Sequence, residues 1–302
     1  MAKGKFTSLE HNGPVFPEEY KYAGKYTLAG EKLLPLAEEM MMAWSKLRET
    51  DYVKDSVFQK NFYKDLKAQL TPAQKALKFP ADYTSLINKM YDEAQEEKAQ
   101  KAEWRKANKE TIQKEKDALK EKYGYAILDG KKQPLGMFMI EPPGIMMSRG
   151  NSPSRGMWKY RTTPEDVTIN FVGDMKKCPQ PPVGHTWKCV ENNTGGFVTV
   201  KYKVNIGNTY ESPKKFIFGG LSDVKQDADQ HKYEKAAVLV KNWDKIEKHI
   251  ENGLKDKDPK RREAALISWL ILRTGIRVGS SEIADNGVVG ASTLKVSNIT
   301  VK

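Results

Sequence analysis

The residues best suited to chemistry stand in LRTGIRVGSSE, residues 272–282, where Arg277 sits in a turn flanked by Gly275 and Gly279. A guanidinium is a planar fork of N–H donors that can grip two non-bridging phosphate oxygens, where charge builds in a phosphoryl transition state. An arginine placed just after an apolar helix also pairs with a carboxylate, as a structural ion pair. The residues alone leave both readings open.

A second candidate is EPPGIMMSRGNSPSRGMWKYRTTPEDV, residues 141–167, in which Arg149, Arg155, Lys159 and Arg161 are interleaved with Gly150, Gly156, Trp158 and Tyr160. Glycines let a backbone come close to a phosphate, and arginine supplies phosphate or minor-groove contacts. The alternative is an ordinary loop tied down by ion pairs. KKCPQPPVGHTWK and ESPKKFIF add Lys176, Lys177, Lys188, Lys214 and Lys215. Such clusters provide long-range steering and counterion release on a polyanion.

Other chemistries find no support. His11, His185, His231 and His249 lack metal-ligand spacing, and there is neither a phosphate-binding G-x-x-x-x-G-K-[ST] loop nor a G-x-S-x-G elbow. Cys178 and Cys189 make no disulfide framework and no zinc set. The expectation is therefore no metal and no cofactor.

These residues must be positioned by a chain of 302 residues with 51 Lys+Arg against 39 Asp+Glu, a net charge of +12. That length supports two or three domains, and that surplus favours a polyanionic partner, either nucleic acid or an anionic membrane surface, with nucleic acid first. No apolar run approaches the roughly 20 residues of a membrane span, and the basic start has no apolar signal region, so a DNA-associated intracellular setting is expected.

Along the chain the pattern is helical, then β-rich, then helical. GEKLLPLAEEMMMAWSKLRET puts Leu36, Met40, Trp44 and Leu47 at helical spacing, and VKDSVFQKNFYKDLKAQL does the same with Phe58, Phe62 and Leu66. TPAQKAL has Thr71 as helix cap and Pro72 at the first helical position. The stretch from Tyr91 to Gly124 is polar all round and predicts a solvated helix or helix pair. YAILDGKKQPLGMFMI predicts a hairpin, and DVTIN, FVTVKYKV and KKFIFGG predict strands. From Asp227 the helices return as DQHKYEKAAVLVKNWDKIEKHIENG, then DPKRREAALISWLILRTG, with Asp258 as cap, Pro259 first, an apolar face through Leu266, Trp269 and Leu270, and Gly275 as stop.

LEHNGPVF, FQKNFYKD, EKYGYAILDG, IEPPGIMMSRGNSPSRGMWKYRTTPEDVTIN, PPVGHTWKCV, HKYEKA and LRTGIRVGSSE, in this order and spacing, resemble eukaryotic-type DNA topoisomerase I, the type IB enzymes. The resemblance runs from end to end. It implies an α+β clamp around duplex DNA. Residues 1–16 would give the first strand of the β-rich core subdomain and 17–110 a helical cap. Residues 111–223 would form a β-rich DNA clamp with projecting charged helices, and 224–302 the beginning of a helical catalytic subdomain. In such enzymes a tyrosine attacks a phosphodiester to form a 3′-phosphotyrosyl link, the broken strand swivels, and the 5′-hydroxyl reseals it without ATP or metal. An Arg, a Lys, a second Arg and a His stabilise the pentacoordinate phosphorus.

Carried over residue by residue, Arg277 matches the first catalytic arginine and Arg149 the arginine that reaches the minor groove beside the cleavage site. Lys159 and Arg161 fall on backbone-contacting basic positions, with Tyr160 standing where a basic residue is usual. Lys215 and Phe216 match a Lys-Tyr pair that touches DNA, the phenylalanine lacking the hydroxyl. Asn151, Arg155 and Lys232 complete the DNA-binding set that the resemblance implies. Ser280 and Ser281 stand where the family often has Asn and Glu, followed by a shorter acidic loop. Beyond Arg277 the sequence has no Tyr, His or Arg, and its lysines are Lys295 and Lys302. The remaining catalytic groups are thus expected from a second polypeptide or a missing C-terminal half. The alternative is a non-catalytic nucleic-acid-binding or structural derivative. A nuclear or otherwise DNA-associated location follows from the same resemblance.

Overall fold

The structure is a computed structural model that describes residues 6–148, 152–193, 197–207, 210–211, 215–220, 222–279 and 289–300. The chain divides into two compact units. One comprises Met1–Met146 and Gly156–Gln226, and the other Met147–Arg155 and Asp227–Lys302.

In the first unit, β1 (Leu9–His11) is followed by the two-residue strands β2 (Thr27–Leu28) and β3 (Glu31–Lys32). Then come α1 (Pro35–Ser45), α2 (Ser56–Lys67), α3 (Pro72–Lys75), α4 (Thr84–Ala107) and α5 (Lys109–Tyr123). The local signals act where expected. The Asp55 carboxylate accepts from the Val57 and Phe58 amides at 2.8 Å to start α2, and Thr71 and Gln74 form a reciprocal capping box on α3. Met40 and Trp44 of α1 meet Phe58, Phe62 and Leu66 of α2 in one aromatic-rich core, with Trp44 stacked on Phe62 at 4.5 Å between centroids. Leu36 and Leu47 pack at its margin. Only the first turns of α4 join this core, through Leu86, Ile87 and Met90, and α5 buries no residue. The polar stretch is therefore a solvated helix pair, broken at Asn108.

The strands that follow are β4 (Tyr125–Leu128), β5 (Lys131–Pro134), β6 (Gly144–Ile145), β7 (Trp158–Lys159), β8 (Val167–Asn170) and β9 (Lys188–Val190), then β10 (Val198–Tyr202), β11 (Asn205–Ile206), β12 (Tyr210–Glu211) and β13 (Lys215–Phe218). A second core lies among them, while Ile145 of β6 and Trp158 of β7 pack into the first. The predicted hairpin is β4–β5, turned by Asp129 and Gly130, both at positive φ (49° and 77°). β1 pairs with β4, making a sheet of order β1-β4-β5. Two four-stranded sheets run β13-β10-β8-β9 and β12-β11-β7-β6. In the former, Val167, Ile169, Val200, Tyr202 and Ile217 face the core. The architecture is α+β.

Two readings need correction. Cys178 and Cys189 are joined in a disulfide. The loop between them folds back, Trp187 Nε1 donating to the Pro179 carbonyl at 2.9 Å, which brings together sulfurs 11 positions apart. The run from Asp227 to Gly253 is two helices rather than one: α6 (Asp223–Lys241), which crosses the boundary between the units, and α7 (Trp243–Gly253). Asn242 interrupts them, its side-chain amide donating to the Val238 carbonyl at 2.9 Å in competition with the helix ladder.

In the second unit α8 (Pro259–Thr274) starts at Asp258, whose carboxylate accepts from the Lys260 amide at 3.0 Å, and stops at Gly275 with φ 68°. It packs on α7 where Gly253 meets Ala265; a Cβ on Gly253 would lie 2.8 Å from the Ala265 methyl. Ile250, Ala265 and Ala291 are the buried apolar side chains of this unit among the described residues, while Leu266, Trp269 and Leu272 of α8 remain exposed.

Candidate nucleic-acid interface

Arg277 follows directly from how α8 ends. Gly275 takes the left-handed conformation that closes the helix, and two residues later the Arg277 carbonyl accepts from the Ala291 amide at 2.8 Å. Val278 is held the same way, its carbonyl accepting from the Ser292 amide and hydroxyl at 2.7 Å. Gly279 and Gly290 pack backbone to backbone beside these bonds. A Cβ on Gly290 would lie 2.4 Å from the Gly279 Cα and 2.6 Å from the Arg277 carbonyl oxygen. The backbone of the arginine is thus braced from both sides. Its side chain is exposed and, among the described residues, makes no hydrogen bond or ion pair. Neighbouring arginines differ. Arg273 pairs with Glu247, Arg261 with Asp256, and Arg262 donates to the Asp256 and Lys257 carbonyls. The arrangement fixes where the arginine leaves the backbone and keeps its guanidinium open to an anion.

In the first unit, Lys159 of β7 and Lys215 of β13 come from different sheets and meet at one carboxylate. Glu141 reaches Lys159 Nζ at 3.1 Å and Lys215 Nζ at 3.4 Å. Burial pushes the Glu141 carboxyl up, but the two ammoniums outweigh it and hold it below the usual carboxylate range. The Lys159 side chain is only 13% exposed, whereas that of Lys215 is half exposed.

Arg161 is clasped from several sides. It donates to the Glu18 carbonyl at 2.9 Å and the Pro17 carbonyl at 3.3 Å, and reaches the Glu39 carboxylate at 3.3 Å. Burial raises the Glu39 carboxyl above its ordinary range despite the guanidinium beside it. Arg155 donates to the Ser152 carbonyl at 3.0 Å. Lys232 pairs with Asp229 one turn earlier, at 2.6 Å, on an exposed helix face. Arg149 and Asn151 lie outside the described residues.

Gly156 serves a different end from close approach to a phosphate. At φ 85° it abuts α2, where an added Cβ would stand 2.2 Å from the Phe58 carbonyl oxygen. Beside it the buried Asp65 carboxylate accepts from the Trp158 amide at 2.8 Å. Together they lock β7, and with it Lys159, onto the helical core.

Lys215 and Phe216 are neighbours in sequence but occupy opposite faces of β13. Lys215 turns toward Glu141; Phe216 turns outward, with the Lys201 ammonium 5.9 Å from its ring centroid. The residues that sequence reasoning missed are Glu141, Glu39 and Gly290. Glu141 had a signal, a lone acid heading a basic stretch. The other two had none, because their roles arise from contacts with distant segments.

An α+β chain that gathers basic side chains on short strands and carries an exposed arginine on a braced turn has the makings of a polyanion-binding protein. Residues 4–217 match the family described as eukaryotic DNA topoisomerase I, DNA binding fragment, and residues 221–302 match eukaryotic DNA topoisomerase I, catalytic core. The chain belongs to the eukaryotic DNA topoisomerase I family. It is 34% identical over 313 residues to DNA topoisomerase 1 of Homo sapiens, which covers 98% of this chain and 39% of that protein. It is 30% identical over 305 residues to DNA topoisomerase 1 of Candidozyma auris, covering 99% and 40%. It is 32% identical over 312 residues to the mitochondrial DNA topoisomerase I of Rattus norvegicus, covering 98% and 50%. The chain thus spans from about two fifths to half the length of these relatives. Among the described residues no helix is long and apolar enough to cross a membrane.

Proposed function

We propose that this chain is the DNA-clamping portion of a type IB topoisomerase and that Arg277 is its first catalytic group. The observation that carries the reading is the geometry at Arg277: a backbone fixed by Ala291, Gly279 and Gly290, and a guanidinium that engages no partner among the described residues. A structural arginine would be satisfied at home. One destined for a phosphorane has its backbone fixed beside the site and its planar fork left for the phosphate oxygens. In the reaction, a tyrosine oxygen bonds to phosphorus and the 5′-oxygen leaves as its hydroxyl. Resealing reverses both steps after strand rotation. Arg277 would donate two N–H groups to the non-bridging oxygens throughout.

The tyrosine, lysine, second arginine and histidine would come from a second polypeptide or from a continuation of the same chain. The uncovered apolar face of α8, with Leu266, Trp269 and Leu272, suits such a docking partner. Duplex DNA would be held mostly through phosphates, by Lys215 and the basic groups around it, with weak sequence preference. Arg149, Asn151, Arg155, Lys159, Arg161, Phe216 and Lys232 are assigned to the same interface by resemblance. The setting would be a DNA-containing compartment, the nucleus first.

The test is complementation. The purified chain should bind duplex DNA with an affinity that falls steeply with salt, and should not relax supercoiled plasmid. Adding the C-terminal portion of a relative should restore relaxation. Binding that ignores salt would refute the clamp. Failure of every complementing portion, with DNA binding intact, would make the chain a non-catalytic derivative.

A further inference from the structure

Cys178 and Cys189 are the two cysteines of the chain, and they are bonded to each other across 11 positions. Both sit at the margin of the β-rich core. Cys178 is 4% exposed and belongs to that core, and Cys189 packs against it with Ile169 of β8 as its register partner. A free cysteine packs as a small apolar residue. The core therefore accommodates a dithiol in place of the disulfide, and no polar group is stranded when the bond opens.

The loop between the two sulfurs depends on the bond far more. Gln180, Pro182 and Gly184 are exposed, and Val183 fully so. Gly184, at φ 83°, closes a turn in which the His185 amide donates to the Pro182 carbonyl at 3.0 Å. The disulfide apart, the stem is held by Trp187, whose Nε1 donates to the Pro179 carbonyl at 2.9 Å. The exposed Glu165 carboxylate accepts from the Thr186 amide and faces His185 Nδ1, both at 3.1 Å. A segment with so little buried apolar contact opens first when a tie is removed. The loop also carries charge at both ends: Lys176 and Lys177 precede Cys178, Lys188 precedes Cys189, and all three lysines are exposed. One covalent bond thus fixes the spacing of two basic segments.

In a DNA-containing compartment, where low-molecular-weight thiols keep most cysteines reduced, a disulfide is a transient or sensing device. We infer that Cys178 and Cys189 form a reversible thiol–disulfide switch that orders the basic loop 176–188 and raises affinity for duplex DNA in the oxidised state. The step is exchange with a low-molecular-weight thiol. Its thiolate attacks one half-cystine sulfur, the S–S bond breaks, and the other sulfur leaves as a thiolate and takes up a proton. A second thiol resolves the mixed disulfide, so the protein gains two electrons and two protons while two thiols become one disulfide. The reverse exchange closes the loop. In the open form the lysines must be re-ordered on binding, which costs affinity. Taking DNA as the ligand rests on the proposed function; the sulfur chemistry does not.

The experiment counts free thiols of the native chain across glutathione buffers, and measures amide exchange and duplex affinity in the fully reduced and fully oxidised forms. The count should move between none and two and back without denaturant. On reduction the amides of His185 and Thr186 should exchange at least about tenfold faster, with those of β10 unchanged. Duplex binding should weaken about three- to tenfold. The double variant Cys178→Ala/Cys189→Ala should match reduced wild type in both readouts and ignore glutathione. Sulfurs that open only in denaturant, or that stay free in every buffer, overturn the switch. Equal duplex affinity in the two states overturns it as well and leaves a cross-link of structure alone. A chain that binds duplex in neither state overturns the proposed function, and the binding half of this inference with it, while the thiol count still decides the sulfur chemistry.

Discussion

Glu141 holds Lys159 at 3.1 Å, a carboxylate at the head of one basic stretch pinned to a lysine 18 positions later. The same carboxylate takes Lys215 from another sheet at 3.4 Å. Two positive charges that sequence assigns alike to DNA therefore have unequal freedom. Lys159 is nearly enclosed with its counter-ion, whereas Lys215 keeps half its side chain in water and is the one able to leave for a phosphate.

Substituting each lysine should separate these roles. Lys215→Ala should weaken duplex binding and reduce its salt slope by about one charge, with little change in melting temperature. Lys159→Ala should lower stability by about 1–2 kcal/mol, between an exposed ion pair and a buried charged hydrogen bond, read by denaturant unfolding. Equal effects of the two variants on stability would show that the difference in enclosure carries no energetic weight.

Glu141→Gln should also destabilise by about 1–2 kcal/mol while tightening duplex binding, because Lys215 no longer has a competing anion. In a Lys215→Ala background that gain in affinity should disappear. A gain that persists there would mean a diffuse charge effect instead.

For Arg277, a complemented enzyme carrying Arg277→Ala should cleave about 10²–10³-fold more slowly, as for loss of one preorganised transition-state donor. Arg277→Lys should recover part of this, one ammonium being unable to span two oxygens as the planar fork does. Melting temperature and duplex affinity should barely move. Early melting with normal cleavage per folded molecule would assign the arginine to structure.

His11 predicts a pH dependence of stability. Burial lowers it from its ordinary 6.5 to about 4, and its ring is used as a neutral bridge. Nε2 lies 2.9 Å from the Asn170 carbonyl, to which it donates, and Nδ1 accepts from the Gly13 amide at 3.1 Å. The unfolded chain takes up a proton near 6.5 and the folded chain does not. The contribution is therefore complete above 6.5 and is lost as pH falls toward 4, at about 1.4 kcal/mol per unit within that window. The difference in unfolding free energy between wild type and His11→Gln should slope across this window and flatten above it. A difference that is constant from neutral to pH 4 would contradict the buried neutral ring.

Gly156→Ala should cost about 3 kcal/mol, since the residue is left-handed and the new methyl would collide with the Phe58 backbone. Duplex binding by the fraction that folds should weaken as β7 is displaced. Wild-type stability in this variant would show that the segment can shift away from α2.

Much of the chain could be read from sequence because its signals are local. The caps at Asp55, Thr71 and Asp258, the Asp129–Gly130 turn, the stop at Gly275 and the polar pair α4–α5 each depend on residues within a few positions of one another. Arg277 and the basic clusters were visible for the same reason, and the resemblance of whole motifs supplied the family. The partners could not be read. Glu141 joins lysines from two sheets, Glu39 reaches Arg161 across 122 positions, Asp65 holds Trp158 across 93, and Gly290 closes on the turn that carries Arg277. Sequence determined which side chains could bear charge and which segments would be helix or strand, because those preferences are set by near neighbours. Only the tertiary structure decided which charges are already spent on each other and which still face water, because that depends on pairings between segments whose separation along the chain carries no signal of their meeting.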